Sequence, residues 1–176
     1  MKNEVIKNIT DKAVVTNIPN LTKPFIDWLD NQTTKDKLIV EFGAGGSTMY
    51  FSEKFAHVFS FEHDDSWIQQ VNNKKLNNVY INKLHNNIFE DSNIISLMRN
   101  ADYILIDNDP NYITRGFIAS MVFEKCKTKA KIILDNVEGH EEAYLYLKSM
   151  FNNKQDFYGK NNLNQLTTTS IFYESL

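Results

Sequence analysis

The sequence predicts an α/β fold: a doubly wound, mostly parallel seven-stranded sheet that ends in an antiparallel C-terminal hairpin. Three observations predict it. The apolar run Leu38-Ile39-Val40 leads into Glu41-Phe42-Gly43-Ala44-Gly45-Gly46-Ser47-Thr48, which reads as a strand, a glycine turn and a helix start. Further apolar runs alternate with helical patterns as far as residue 150, the rhythm of βα units and a parallel sheet. Finally, residues 155–159 and 166–173 are rich in Thr, Ile and aromatics with no helix between them. Such neighbours should pair antiparallel.

Each element has its own signal. Residues 22–31 open with Thr22 at a capping position and Pro24 near the first helical position. They form a short amphipathic helix that packs Phe25, Trp28 and Leu29. The first strand spans 37–42 and its helix 47–55; the second strand, 57–62, ends in an acid, Glu62. A helix begins near Asp64-Asp65-Ser66 and turns Trp67, Ile68 and Val71 to one face. Strand three covers 79–84, and a short helix 91–99. Strand four, 102–107, has the solid apolar centre of a strand covered on both faces. A helix at 113–126, a strand at 131–135 and a helix at 139–150 complete the alternation.

With 176 residues and 42% hydrophobic content, a single core is expected. Residues 1–21 read as a flexible N-terminal segment and 22–176 as one domain. A net charge of −3 advertises no basic surface, so neither nucleic acid nor an acidic membrane is expected as a partner. The first thirty residues are polar and hold no apolar signal region, and no apolar run approaches membrane length. A soluble, cytoplasmic protein is expected. The single cysteine, Cys126, forms no intramolecular disulfide and sits in a helical pattern as a small buried residue.

A glycine turn between strand and helix brings backbone close to a nucleotide-like ligand. An acid at the tip of the second strand, about twenty residues on, grips ribose hydroxyls in such folds. Gly43, Gly45 and Glu62 therefore point to a cofactor that contains adenosine. The dinucleotide fingerprint G-x-G-x-x-G fails, because Thr48 stands where the third glycine should fall.

The segment Glu41-x-Gly43-x-Gly45 instead resembles motif I of the class I S-adenosylmethionine-dependent methyltransferases. Phe61-Glu62-His63-Asp64-Asp65-Ser66-Trp67 resembles their second motif, and a terminal antiparallel hairpin belongs to the same family's sheet. The resemblance covers about residues 37–173. It implies a Rossmann-like methyltransferase fold and S-adenosylmethionine as cofactor. By the same resemblance, Gly43, Ala44 and Gly45 would lie against the methionine portion, and Glu41 would help orient its ammonium group. Glu62 would accept both ribose hydroxyls, with His63 beside it. Asn86 and Asn87, in the loop after strand three, would contact adenine.

Ligands of open α/β sheets bind outside the carboxyl ends of the strands. Asp107, Asp135 and Asn136 would converge there, and such oxygen ligands suit Mg²⁺ or Ca²⁺. The trio resembles the site of metal-dependent catechol and caffeoyl-CoA O-methyltransferases, which implies a Mg²⁺ that chelates a vicinal diol. The alternative is that Asp107 and Asp135 cap helices or hydrogen-bond the cofactor loop. Those enzymes' lysine is replaced here by Asp109-Pro110; the candidate catalytic residues are Asp107, Asp109 and His140, with Asp109 and His140 the bases within reach and His63 an outside candidate. Arg115 reads either as a ligand for an anionic group or as a solvated helix-face arginine. Asp107, Arg115, Asp135-Asn136 and Thr168-Thr169-Ser170-Ile171-Phe172 also resemble small class I methyltransferases associated with bacterial surface glycans. The expected activity is O-methylation of a small-molecule or glycan hydroxyl; a catalytically idle cofactor- or protein-binding module is the alternative. Only residues 1–30 and the 108–115 and 159–166 loops are free to roof the site, which leaves a homodimer as one way to close it.

Overall fold

A computed structural model describes residues 16–174. Seven strands form one sheet in the order β3-β2-β1-β4-β5-β7-β6. They are β1 Leu38–Phe42, β2 His57–Glu62, β3 Val79–Lys83, β4 Tyr103–Ile106, β5 Lys131–Leu134, β6 Asn153–Lys160 and β7 Leu166–Tyr173. The first five run parallel, and β7 is antiparallel to both β5 and β6. Helices α1 Lys23–Asp30, α2 Gly46–Lys54, α3 Asp65–Asn72, α4 Ser92–Asn100, α5 Arg115–Glu124 and α6 Glu141–Met150 cover its faces. The fold is the class that the sequence predicts.

Side-chain alternation along each strand builds two cores. Val40, Phe42, Ile104, Ile106, Ile132 and Leu134 face α4, α5 and α6. Ile39, Val58, Leu105, Ile133 and Ile171 face α1 and α2. A strand with both faces covered needs apolar residues at successive positions, which is why β4 and β5 read as unbroken apolar runs. β6 is longer than its sequence signal, because its first residues, Asn153 and Lys154, belong to a polar sheet edge. Two short 3₁₀ turns, Ile88–Glu90 and Val137–Gly139, carry no periodicity that sequence reading could detect.

Thr22 occupies the expected N-cap position of α1 but does not cap it with its side chain. Its hydroxyl donates to the Phe157 carbonyl (3.0 Å), and its N–H donates to Thr169 Oγ1 (3.2 Å). The residue therefore fastens α1 to the C-terminal hairpin. Residues 1–15 of the expected flexible segment lie outside the described residues. Beyond them, Leu21 is buried against Phe25 and Leu29. Cys126 is fully buried. Among the described residues no helix is long and apolar enough to cross a membrane.

The strand order puts the tips of β1 and β4 side by side where the chain reverses its direction of winding, the position at which α/β sheets open a crevice. That crevice rests on Phe42, which is fully buried and packs on Phe61 (5.7 Å between centroids) and Phe89 (6.0 Å). Phe42→Ala is expected to cost about 3–5 kcal/mol of stability, read from urea unfolding. A loss below about 1 kcal/mol would mean that this end of the sheet is not a packed core.

Candidate functional site

A cavity of about 580 Å³ opens at the carboxyl ends of β1, β2 and β4. Its floor is the glycine turn. Gly43 has φ +97°, and a Cβ there would lie 2.6 Å from the Asp107 carbonyl, so only glycine fits. The Gly43 N–H donates to the Phe61 carbonyl (2.8 Å) and the Asp107 N–H to the Phe42 carbonyl (2.9 Å), which joins three strand tips. Gly45 faces open space, its nearest neighbour beyond an added Cβ being the Trp67 ring at 3.9 Å.

Glu41 lies fully buried beneath this turn. Its Oε1 accepts from Ser60 Oγ (2.6 Å) and from the Thr48 hydroxyl. Thr48 Oγ1 in turn accepts from the Gly45 N–H (2.9 Å), which links the carboxyl to the turn. Burial pushes the Glu41 carboxyl up to about 7, against hydrogen bonds from Ser60, Thr48 and Ser47 that lower it. Its Oε2 has no partner among the described residues.

Glu62, at the tip of β2, is nearly buried on the cavity wall. Its Oε2 accepts from the Ala44 N–H (2.9 Å) and its Oε1 from the Asp64 N–H (2.8 Å). His63 Nδ1 lies 2.9 Å from the same Oε1. The His63 ring stacks on Tyr112 (4.9 Å, 18° between planes), and its Nε2 is 3.8 Å from Asp109 Oδ2. Tyr112 is held from behind, its hydroxyl donating to the Leu84 carbonyl (3.1 Å).

The tips of β4 and β5 meet at Arg115, the first residue of α5. Its guanidinium donates to the Asn108 carbonyl (3.1 Å), the Asp135 carbonyl (2.7 Å) and Asp107 Oδ1 (2.9 Å). Only 6% of the residue is exposed, so it is neither a solvated surface arginine nor free to grip an anion. Burial raises the pKa of Asp107; Arg115 opposes the rise and Glu62 adds to it. Asp135 is raised by burial and by Asp107, with Thr169 and Arg115 opposing.

Gly43, Ala44, Gly45, Glu62, His63, Asp107 and Asp109 line the cavity, and Glu41 sits below it. Asn86 and Asn87 are exposed and do not reach that wall; Asn87 borders a second cavity of about 600 Å³ beside Lys83 and His85. His140 precedes α6 away from the cavity wall, and burial, with Arg115 nearby, pushes its pKa down. Of the expected metal trio only Asp107 lines the cavity. Asp135 is wholly buried and accepts from Thr169 Oγ1 (2.5 Å), while the Asn136 amide donates to Thr167 Oγ1 (3.3 Å) on the hairpin. Among the described residues no three His, Cys, Asp or Glu side chains gather to hold a metal. Neither Asp135 nor Asn136 reaches the cavity wall, and Asp135 Oδ2 has no hydrogen-bond partner among the described residues.

Sequence reading passed over several contributors. Thr48, noted there only as a missing glycine, is the third residue of α2, where a side chain reaches back to the N-cap N–H; that position was its signal. Ser60 alternates inward beside Glu41. Asn162 and Leu163 of the β6–β7 turn, with Thr16, Ile18 and Asn20, form the roof. Asn162 Nδ2 donates to the Ile18 carbonyl (3.3 Å), and a side chain at Gly46 would collide with that carbonyl.

No protein-family model matches the chain, and no curated protein matches it in sequence. Solved structures do match in shape. A precorrin-8w decarboxylase of Methanobacterium thermoautotrophicum shares 15% identity at a TM-score of 0.59, covering 94% of this chain and 98% of its own. A Streptococcus mutans protein classed as a methyltransferase and crystallised with SAH shares 13% at 0.60, covering 86% and 98%. The fold is that of the class I methyltransferases. An rRNA methylase from Streptococcus thermophilus has it too, with 8% identity at a TM-score of 0.55 over 85% of this chain and 93% of its own. The expectation that nucleic acid plays no part therefore finds no support in the fold.

Glu41 gives the site a pH signature. Its folded pKa, about 7, lies above its ordinary value of 4.5, so the folded state holds the proton more tightly than the unfolded state. The stability it contributes is complete below pH 4.5 and is lost as pH rises through about 7. Unfolding of Glu41→Gln should show its stability, relative to the unsubstituted protein, rising across that window and then levelling. A difference that does not change with pH would contradict a protonated Glu41.

Proposed function

We propose that this chain is an S-adenosylmethionine-dependent methyltransferase acting on a small-molecule or glycan hydroxyl. The observation that carries the reading is the pairing of the Gly43 turn and the Glu62 carboxylate on one cavity wall. Glu62 Oε2 accepts a single N–H, and a carboxylate oxygen has two lone pairs, so it keeps room for a ribose hydroxyl. Gly45, with open space over its Cα, lets a ligand lie against the backbone. Bound there, S-adenosylmethionine supplies a methyl group on a positively charged sulfonium.

The wall favours cations. Glu62, Asp64, Asp107 and Asp109 line it, and no Lys or Arg does among the described residues. A cleft lined by one sign of charge attracts the opposite sign and repels its own. This supports a neutral or cationic acceptor over a polyanion such as RNA. Transfer of the methyl carbon to the acceptor oxygen would leave the bonding pair with the cofactor and would require the hydroxyl proton to leave. We assign its removal to Asp109 at the rim, with Asp107 positioning the hydroxyl. Orientation supplies much of the acceleration in such a transfer.

A second reading is a module that binds the cofactor without transferring its methyl group. One observation favours it: His63 is committed to Glu62 and covered by Tyr112, so the imidazole on the wall is not free to act as a base.

Calorimetric titration with S-adenosylhomocysteine, with NADH as control, tests the cofactor. Glu62→Ala should weaken binding more than tenfold, about 1.4 kcal/mol, because a charge-assisted hydrogen bond is lost. Unchanged affinity would remove Glu62 from the site. Binding without transfer to any diol or sugar would favour the idle module, and methylation of RNA would overturn the acceptor class.

A further inference from the structure

The residues implied for a metal are held together by a side chain that already carries a positive charge. Arg115 sends three N–H groups to three acceptors on the tips of β4 and β5: the Asn108 and Asp135 carbonyls and Asp107 Oδ1. It is almost completely buried, and a buried guanidinium persists only where such partners surround it. A hard divalent ion among Asp107, Asp135 and Asn136 would need about six oxygen ligands. It would find Asp107 Oδ1 held by Arg115 and Asp135 Oδ1 bonded to Thr169, which leaves Asp135 Oδ2 as a buried oxygen without a partner among the described residues. It would also sit beside a fixed positive charge.

We propose that Arg115 is the resident cation of this site, standing where a divalent metal would otherwise bridge the tips of β4 and β5 and fixing the Asp107 carboxylate at the cavity wall. Arg115 is a positioning residue that acts through Asp107. The inference is independent of the transfer reaction: a chain that bound no S-adenosylhomocysteine would leave it standing.

The test is titration of the purified chain with Mn²⁺, followed by electron paramagnetic resonance of the free ion. The unsubstituted protein and Arg115→Lys, which keeps the charge, should bind no Mn²⁺ at millimolar concentration. Arg115→Met, which removes the charge but keeps an unbranched apolar stem, should gain one Mn²⁺ site, and adding Asp107→Asn should abolish it. A merely structural arginine would produce no such gain. Folded Arg115→Met that binds Mn²⁺ no better than the parent would overturn the proposal. Should that variant not fold, the parent decides: stoichiometric Mn²⁺ binding that Asp107→Asn removes overturns it, and no binding upholds it.

Discussion

One buried carboxyl group sets the shape of the whole ligand-facing end. Glu41 is fully buried under the glycine turn, and a polar group in that position is costly unless it is hydrogen-bonded. Ser60 supplies a donor from β2 and Thr48 another from α2. Because Thr48 also accepts from the Gly45 N–H, the turn cannot shift without breaking a partly buried bond. Leaving such a group unpaired costs about 1–3 kcal/mol. The same rigidity passes sideways through the sheet. Gly43 lies against the Asp107 carbonyl, Arg115 joins Asp107 to β5, and Thr169 joins Asp135 to β7. Side chains thus join β1 to β2, β4 to β5 and β5 to β7 in addition to their ladders.

That bracing separates charges. The carboxylates of Glu62, Asp64, Asp107 and Asp109 face the cavity, whereas the guanidinium that neutralises part of this charge is hidden behind β4 and β5. A cationic ligand therefore meets negative groups at the surface, and the positive group that orders them stays out of its way. The roof differs in kind. Ile18 and Leu163 are both more than half exposed, so apolar surface stands at the mouth of an acidic cleft.

The sheet was legible because its physics leaves a one-dimensional trace. Strands buried on both faces must be apolar throughout, and Gly43 must be glycine because of its backbone angle and its contact with Asp107. Glu62 was legible as an acid at a strand tip. The strand-tip trio misled for a physical reason: adjacency along the chain says nothing about which way a side chain turns, and Asp135 and Asn136 turn toward the hairpin. Arg115 was opaque because two of its three partners are backbone carbonyls, and carbonyls leave no residue signature. Asn86 and Asn87 lie in a loop whose direction depends on packing beneath it, around Leu84 and Ile88.

The roof has a temporal meaning. Ile18 is met by Asn162, a partner 144 residues further along the chain, and Thr22 bonds to Phe157 and Thr169 across 135 and 147 residues. On a ribosome, the glycine turn and the acid of β2 would emerge before the hairpin residues that cover the cavity. The bonds from Ile18 and Thr22 to the hairpin form only once that hairpin is made. The finished enclosure is therefore one of the last features that synthesis delivers.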